Sequence, residues 1–247
     1  MAELVSYVPP PPVVVHHRLA VDTSSDVQSV ALERDGHVID ELRFSRRAHS
    51  RGLMGRLDEA IRRHDLEWSD LDTLVVGLGP GSFTGLRVAL AVVKGIAMSG
   101  GANAIGVCSL VGFPASLPHG HLCAVAWNAH QGLLYGGVYR SGASAECVVP
   151  AGVYKPQEFA ARLPKAGCLC VGDGFDVFAE HFADRGGDIS PGLPQASAAG
   201  LLLYARAHCL EATKAQTLEP TYFRRSEAED AWDRKHGVGA PPVEGEL

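Results

Sequence analysis

Residues 75 to 87 read Val75-Val-Gly-Leu-Gly-Pro-Gly-Ser-Phe-Thr-Gly-Leu-Arg87, the pattern of a buried strand end, a glycine-rich turn and the start of a long helix. Gly77, Gly79 and Gly81, with Pro80 among them, permit backbone conformations that Cβ-bearing residues resist, so a helix is expected to begin near Ser82. Its first N–H groups carry partial positive charge and Ser82 or Thr84 is a suitable cap, so such a turn can hold a phosphate or a carboxylate. The familiar templates do not fit. A Walker A loop needs Gly-Lys-Ser/Thr, and the dinucleotide fingerprint needs a glycine where Thr84 stands. The serine-hydrolase elbow needs glycines at the places of Pro80 and Thr84. A nucleophilic Ser82 would need a base, and the sequence does not place His49 or His130 beside it. For a zinc protease the nearest ligands are His119-x-His121 and His16-His17, neither at the i, i+4 spacing of a helix.

The elements that must position this loop follow from patterning. Strands are expected at 19–23, 27–33 and 37–44, separated by polar turns, as a β-meander. A helix over 49–64 places Leu53, Met54, Leu57, Ala60 and Ile61 on one face, and the strand 73–77 feeds the glycine loop. On the helix of roughly 83–99, Leu86, Ala89, Leu90, Val93, Ile96 and Ala97 form an apolar stripe. Thr84, Val88, Ala91 and Gly95 form a second stripe of mostly small residues, with Arg87 and Lys94 beside it, so two buried faces are implied. Strands at 104–107, 122–127, 133–139 and 145–149 follow, and the last three repeat the opening pattern as a second, smaller lobe. A helix begins near Pro156, a strand spans 168–171, Gly172-Asp-Gly174 opens a helix over 175–185, and a last helix over 197–212 is capped by Ser197. The division expected is a flexible Pro-rich arm over 1–15, a first lobe over 16–118, a smaller lobe over 119–225 and a loose tail over 226–247.

Composition bounds the function. The 247 residues are 46% hydrophobic and 20% charged, as in an ordinary globular protein. A net charge of −6 argues against a chain that grips nucleic acid by itself. Seven arginines between Arg43 and Arg63 nevertheless make a basic island, suited to an acidic partner, a tRNA backbone or plain solvation. Six cysteines without a Cys-x-x-Cys pair form neither a metal knuckle nor a disulfide framework, and Cys168 and Cys170 are expected to pack on one face of a strand. No apolar run is read as a membrane span, and a cytoplasmic protein is expected.

The run Gly79-Pro-Gly-Ser-Phe-Thr-Gly-Leu-Arg87 is similar to the signature of the bacterial TsaB (YeaZ) family, which works in threonylcarbamoyladenosine modification of tRNA, and Glu219-Pro-Thr-Tyr-Phe-Arg224 resembles that family's closing segment. The resemblance implies an α/β chain of the actin-like ATPase (ASKHA, RNase H-like) fold with two lobes, the second reduced. It makes Gly79, Pro80, Gly81, Ser82, Phe83, Thr84 and Gly85 the signature loop. In the superfold's ATPases the acid closing the first strand helps hold metal and phosphate, and strand, Gly-x-Gly, helix is an adenosine-side arrangement. Asp22, Thr23, Gly172 and Gly174 therefore mark a vestigial nucleotide site; the alternative is that Asp22 and its neighbours satisfy turn amides, and both readings stay open. Family members commonly carry Asp-Ala-Arg where this chain has Asn128-Ala-His130, and Asn128 is a poor base and a poor metal anchor.

By the same resemblance the chain is expected to be a non-catalytic scaffold, with no metal and no cofactor, weak ATP or ADP binding being left open. Its implied partners are the catalytic TsaD subunit, the ATPase TsaE and itself as a homodimer, with tRNA met only through the complex and no membrane contact. The implied docking residues are Leu53, Met54, Leu57 and Ile61 on the first helix, and Phe83, Thr84, Arg87, Val88, Ala91 and Gly95 on the second. The alternative is an independent actin-like ATPase or nucleotide-dependent enzyme.

Overall fold

The first two strands of the opening meander form because apolar residues occupy successive positions on both sides of the chain, which only a strand buried on both faces can use. In the computed structural model, which describes residues 15–45, 52–165, 167–183, 188–189 and 196–224, the meander is β1 (His17–Asp22), β2 (Val27–Arg34) and β3 (His37–Ser45). Helix α1 (Leu53–Arg62) leads to β4 (Thr73–Gly77), and helix α2 (Phe83–Gly100) leads to β5 (Asn103–Val107). The first sheet has the order β3-β2-β1-β4-β5, antiparallel across the meander and parallel from β1 to β5.

The second half repeats this plan. After the short helix α3 (Gly112–Ser116) come β6 (Leu122–Asn128), β7 (Leu134–Arg140) and β8 (Glu146–Tyr154). Helix α4 (Pro156–Arg162), β9 (Cys168–Val171), helix α5 (Asp173–Val177) and β10 (Asp188–Ile189) follow. The second sheet runs β10-β9-β6-β7-β8, the order of the first with each strand replaced by its counterpart. Its helices are shorter. The expected helix over 175–185 is a single turn and a half of α5 followed by a 3-10 turn at Ala179–His181.

Three apolar clusters divide the interior. Leu19, Val21, Val30 and Leu32 point from the first sheet to α1 and α2. Ala20, Ala31, Val75 and Val107 point the other way, into a core shared with Trp127, Tyr139 and Val171 of the second sheet. Phe159, Phe175, Cys168 and Cys170 fill the outer side of the second sheet, so the two cysteines pack on one face as their spacing predicts.

The last helix, α6 (Ala198–Ala207), corrects the expected division of the chain. It does not belong with the second lobe but lies on β1, β2 and β4 of the first sheet, filling the shared core with Leu201, Leu202 and Ala205. Ser197 caps it by accepting the Gly200 N–H at 3.1 Å. Glu41 of β3 fastens it, accepting from the Ala199 N–H at 3.1 Å and from the hydroxyls of Ser29 and Ser197 at 2.9 and 3.0 Å. The helix stops five residues short of the expected 212, where Cys209 takes a positive φ of 49°. The chain then returns to the first sheet, Thr213 pairing with Ala104 and Thr221 donating to the Leu78 carbonyl at 2.8 Å. The expected arm to residue 14 and the tail over 226–247 lie outside the described residues.

A second correction concerns apolarity. By length and composition α2 meets the test for a membrane span, with a mean hydropathy of 1.3 over 18 residues, although no such run was expected. Its apolar side has a partner inside the protein: Ala89, Leu90, Val93, Ile96 and Ala97 share a buried cluster with the first sheet and α1, and Gly85 and Leu86 are buried as well.

The crossing of α3 and α6 leaves no room for a side chain at Gly200, where a Cβ would run into the Gly112 carbonyl. Gly200→Ala is therefore expected to destabilise the fold by about 2 kcal/mol or more through overpacking, read as a lower urea midpoint. An unchanged midpoint would contradict the described crossing.

Candidate functional site

Everything around the glycine loop begins with its approach to the β1–β2 turn. Gly79 and Gly81 take φ of 107° and 156°, and the Gly79–Pro80 peptide is cis. A Cβ at Gly81 would strike the Ser24 backbone, and one at Gly85 would strike the Thr23 carbonyl. Two hydrogen bonds close the seam: the Ser82 N–H donates to the Ser24 carbonyl at 2.7 Å, and the Thr23 hydroxyl donates to the Gly85 carbonyl at 2.6 Å. Ser82 caps α2 by accepting the Gly85 N–H at 3.2 Å, and the Gly79 N–H donates to the Ser109 hydroxyl at 3.1 Å. Three of the N–H groups that an anion would recruit are thus already bonded within the chain. Across the loop lies residue 221, whose carbonyl would stand 3.0 Å from a Cβ at Gly79.

Asp22 lies fully buried behind this seam. Its Oδ1 accepts from the Ser24 N–H at 2.8 Å and from the Ser24 hydroxyl at 2.5 Å. Its Oδ2 has no hydrogen-bond partner at normal geometry and lies against Gly77 and the Ser109 side chain. Burial pushes the Asp22 pKa up to about 6, with the Ser24 bonds and the Ser109 hydroxyl limiting the rise. Through Oδ1 the carboxyl organises the turn, as the second of the two readings has it, while the unpartnered Oδ2 keeps the first reading open.

The glycines of the other half of the expected nucleotide site pack tightly against β6. Gly172 has φ 108° and a Cβ there would overlap the Ala126 carbonyl, while one at Gly174 would stand 2.9 Å from the same oxygen. These glycines let α5 press onto β6. Between them Asp173 accepts the Asn128 N–H at 3.1 Å, and Asn128 Oδ1 accepts the His130 N–H at 2.8 Å. Burial raises the Asp173 pKa, and the nearby charge of Asp26 raises it further while His130 opposes the shift. The 128–130 turn and Asp173 of the second lobe are thus joined by hydrogen bonds. Among the described residues no group of three or more His, Cys, Asp or Glu could hold a metal ion.

The expected docking residues separate into two sets. Leu53, Leu57 and Ile61 are in the core, covered by the first sheet and α2, and cannot meet a partner; Met54 on the same helix is 49% exposed. Phe83 is half-buried, and Thr84, Arg87, Val88, Ala91 and Gly95 are exposed along α2. Val88 is 42% and Met98 72% exposed, so this stripe continues to the end of the helix. Sequence reasoning gave no role to Tyr222 and Arg224, although it singled out the segment that carries them. The Tyr222 ring stacks on Phe83 with centroids 4.6 Å apart, and its hydroxyl accepts from Arg87 Nε at 2.9 Å. Arg224 donates to the carbonyls of Ala129 and His130, tying the same segment to the second lobe.

Among the described residues, each arginine of the basic island meets a carboxylate. Arg43 pairs with Glu41, Arg56 and Arg63 with Glu59, and Arg62 with Asp58. Arg46, Arg47, His49 and Arg51 lie outside the described residues.

Comparison with known proteins adds five findings. A family model described as "TsaD: tRNA N6-adenosine threonylcarbamoyltransferase" matches residues 38–170. The tRNA threonylcarbamoyladenosine biosynthesis protein TsaB of Escherichia coli K12 is 32% identical over 93 residues, 38% of this chain and 40% of that protein. The TsaB of Bacillus subtilis is 33% identical over 135 residues, 53% of this chain and 59% of that protein. The chain thus spans 40 to 59% of the length of these two curated relatives. Among solved structures, YeaZ from Pseudomonas aeruginosa superposes with a TM-score of 0.72 at 24% identity, over 84% of this chain and 99% of that one. A second Pseudomonas aeruginosa structure, of a protein described as similar to peptidase YeaZ, gives 0.73 at 24% identity, over 85% and 100%. At that identity the likeness bears on the fold alone.

The raised Asp22 pKa has a measurable sign. A folded value near 6 against an ordinary 3.8 means the native state holds its proton more tightly than the unfolded chain. This group's contribution to stability is full below the ordinary value and is lost as pH rises through about 6, a swing of about 3 kcal/mol. Asp22→Asn removes the charge and is expected to raise stability at pH 8 by about 1–3 kcal/mol while flattening its dependence between pH 4 and 7. Denaturant unfolding at both pH values checks this, and a variant less stable than wild type at pH 8 would show that the carboxylate itself is needed.

Proposed function

The chain belongs to the TsaD family of tRNA N6-adenosine threonylcarbamoyltransferases, in its TsaB (YeaZ) branch, and from that membership we propose that it serves threonylcarbamoyladenosine formation in tRNA as a non-catalytic subunit. Its fold is the two-lobed actin-like one, with a reduced second lobe. The observation that carries the proposal is a contrast between the loop and its helix. Three of the loop's N–H groups and Oδ1 of Asp22 are bonded inside the chain, whereas the outer stripe of α2, from Thr84 to Met98, is exposed and made largely of small and apolar residues. Small side chains let another helix approach closely.

In this reading the loop is the foundation of a binding surface. The α2 stripe, with Met54 of α1 beside it, docks the catalytic TsaD subunit, and self-pairing uses the same stripe. The TsaE ATPase joins that assembly, tRNA is met through it, and the work is done in the cytoplasm. Turnover resides in the partner: Asn128 stands where an acid would be wanted, and its side-chain oxygen is engaged by the His130 N–H. One observation favours the other reading, a nucleotide-dependent enzyme: Oδ2 of the buried Asp22 has no hydrogen-bond partner among the described residues.

Reconstitution decides between them. Threonylcarbamoylation of tRNA by the TsaD-type subunit and its other components is expected to fall by at least about tenfold when this chain is omitted, while the chain alone hydrolyses no ATP above background. Robust ATP hydrolysis or peptide cleavage by the purified chain would overturn the scaffold reading. Ala91→Trp is expected to block association with the partner and with itself while the monomer stays folded, since Ala91 is exposed. Wild-type sedimentation of that variant in both mixtures would place the interface elsewhere.

A further inference from the structure

On the face of the first sheet away from α1 and α2, a cleft of about 620 Å³ opens between β3, α3 and α6. Val38 of β3, Phe113 and Leu117 at α3 and Leu203 of α6 give it an apolar lining, and Arg43, Arg206 and Glu41 supply its charge. A concave, largely apolar surface with a few charged groups is the ordinary form of a small-molecule site. The cleft is separate from the glycine loop and from the outer stripe of α2, none of whose residues line it.

Both arginines are held in place with donors to spare. Arg43 Nη2 lies 2.7 Å from Glu41 Oε2 and donates to the Ser197 hydroxyl at 3.2 Å. Arg206 Nη1 donates to Glu33 Oε2 at 3.3 Å and lies over the β2–β3 turn, where a Cβ at Gly36 would stand 3.0 Å from it. Among the described residues, Nε and Nη1 of Arg43 and Nε and Nη2 of Arg206 have no hydrogen-bond partner. Each guanidinium is thus anchored through one nitrogen and offers two others, with little rotamer freedom left to lose on binding. The nearby acids are already matched. Glu41 faces Arg43 and accepts from Ser29, Ser197 and Ala199, and the buried Glu33 lies between Arg206 and Arg18. Arg18, Arg43 and Arg206 against Glu33 and Glu41 leave one positive charge in excess, on a chain whose net charge is −6.

From this balance we propose that the cleft binds a small organic monocarboxylate with an apolar body. The carboxylate takes the spare donors of the two guanidinium groups, whose forks suit its paired oxygens, and the body lies against Val38, Phe113, Leu117 and Leu203. A dianionic phosphate would leave a negative charge uncompensated beside Glu33 and Glu41, and a neutral ligand would leave the excess cation unmatched. The bound carboxylate ties Arg43 of β3 to Arg206 of α6, the two elements that Glu41 already joins. The proposal does not rest on the docking role of α2.

Sodium hexanoate is a suitable probe, titrated into the full chain at neutral pH and constant ionic strength. It is expected to give saturable amide NMR shifts centred on Gly36, Ser116 and Arg206, with a Kd on the order of 1 mM or tighter. Hexanol, which lacks the charge, and inorganic phosphate, which lacks the apolar body, are expected to bind at least about tenfold more weakly. Arg206→Gln is expected to weaken hexanoate binding by about tenfold or more. Ser116→Phe, which fills the cleft from α3 and leaves both arginines in the chain, is expected to do the same. Circular dichroism confirms the fold of each variant, and either one alone suffices for the comparison. Hexanoate shifts that stay linear up to about 20 mM would overturn the proposal. So would hexanol or phosphate binding as tightly as hexanoate, or a folded variant of either kind that binds hexanoate as wild type does.

Discussion

The rest of the molecule depends on how closely the glycine loop can lie on the β1–β2 turn. At Gly81 and Gly85 the two backbones are nearer than any Cβ would allow, and the Ser82–Ser24 and Thr23–Gly85 hydrogen bonds close the seam. That seam fixes the point at which α2 leaves the sheet and hence which side of the helix the sheet covers. Leu86, Leu90 and Val93 go inward, and Thr84, Val88 and Ala91 are left outside. A loop whose composition suits an anion thus has three of its N–H groups committed to shape.

The same constraint explains a costly feature nearby. A fully buried carboxylate with one unpartnered oxygen disfavours folding in its charged form, yet Asp22 holds the Ser24 N–H and hydroxyl that shape the turn beneath the loop. The C-terminal segment completes the assembly from the other side. Thr221 bonds Leu78, Tyr222 supports Phe83 and Arg87, and Arg224 reaches the 128–132 turn. One short stretch therefore touches the loop, the exposed helix and the second lobe.

Much of this was legible in the sequence, and the reasons differ by element. Period-two and period-3.6 patterns located most of the strands and long helices, because burial on a sheet or against one sheds a trace in every turn. The recurrence of the meander disclosed the second lobe, whose strand order repeats the first. Leu53, Leu57 and Ile61 were misassigned because periodicity reveals an apolar face without revealing what covers it; β2, β3 and α2 do. The placement of α6 on the first sheet is a contact between residues more than a hundred positions apart, such as Ser197 with Glu41, which no local pattern records. The spacing of Asp58 with Arg62 and Glu59 with Arg63 could have shown that these two arginines of the basic island meet carboxylates one helical turn away. The role of the loop's N–H groups was out of reach, since Ser24 and Ser109 arrive there only through the tertiary fold.

The central claim is that the outer stripe of α2 is the surface this chain offers to its partner. Hydroxyl-radical footprinting tests it directly with native side chains, because Met54, Val88 and Met98 are exposed reporters on that side, and Val148 and Val177 are exposed reporters on the second lobe. On mixing with the TsaD-type subunit, the account predicts that Met54, Val88 and Met98 lose reactivity while Val148 and Val177 keep theirs. Protection confined to the second lobe, with the α2 stripe as reactive as in the free chain, would contradict it.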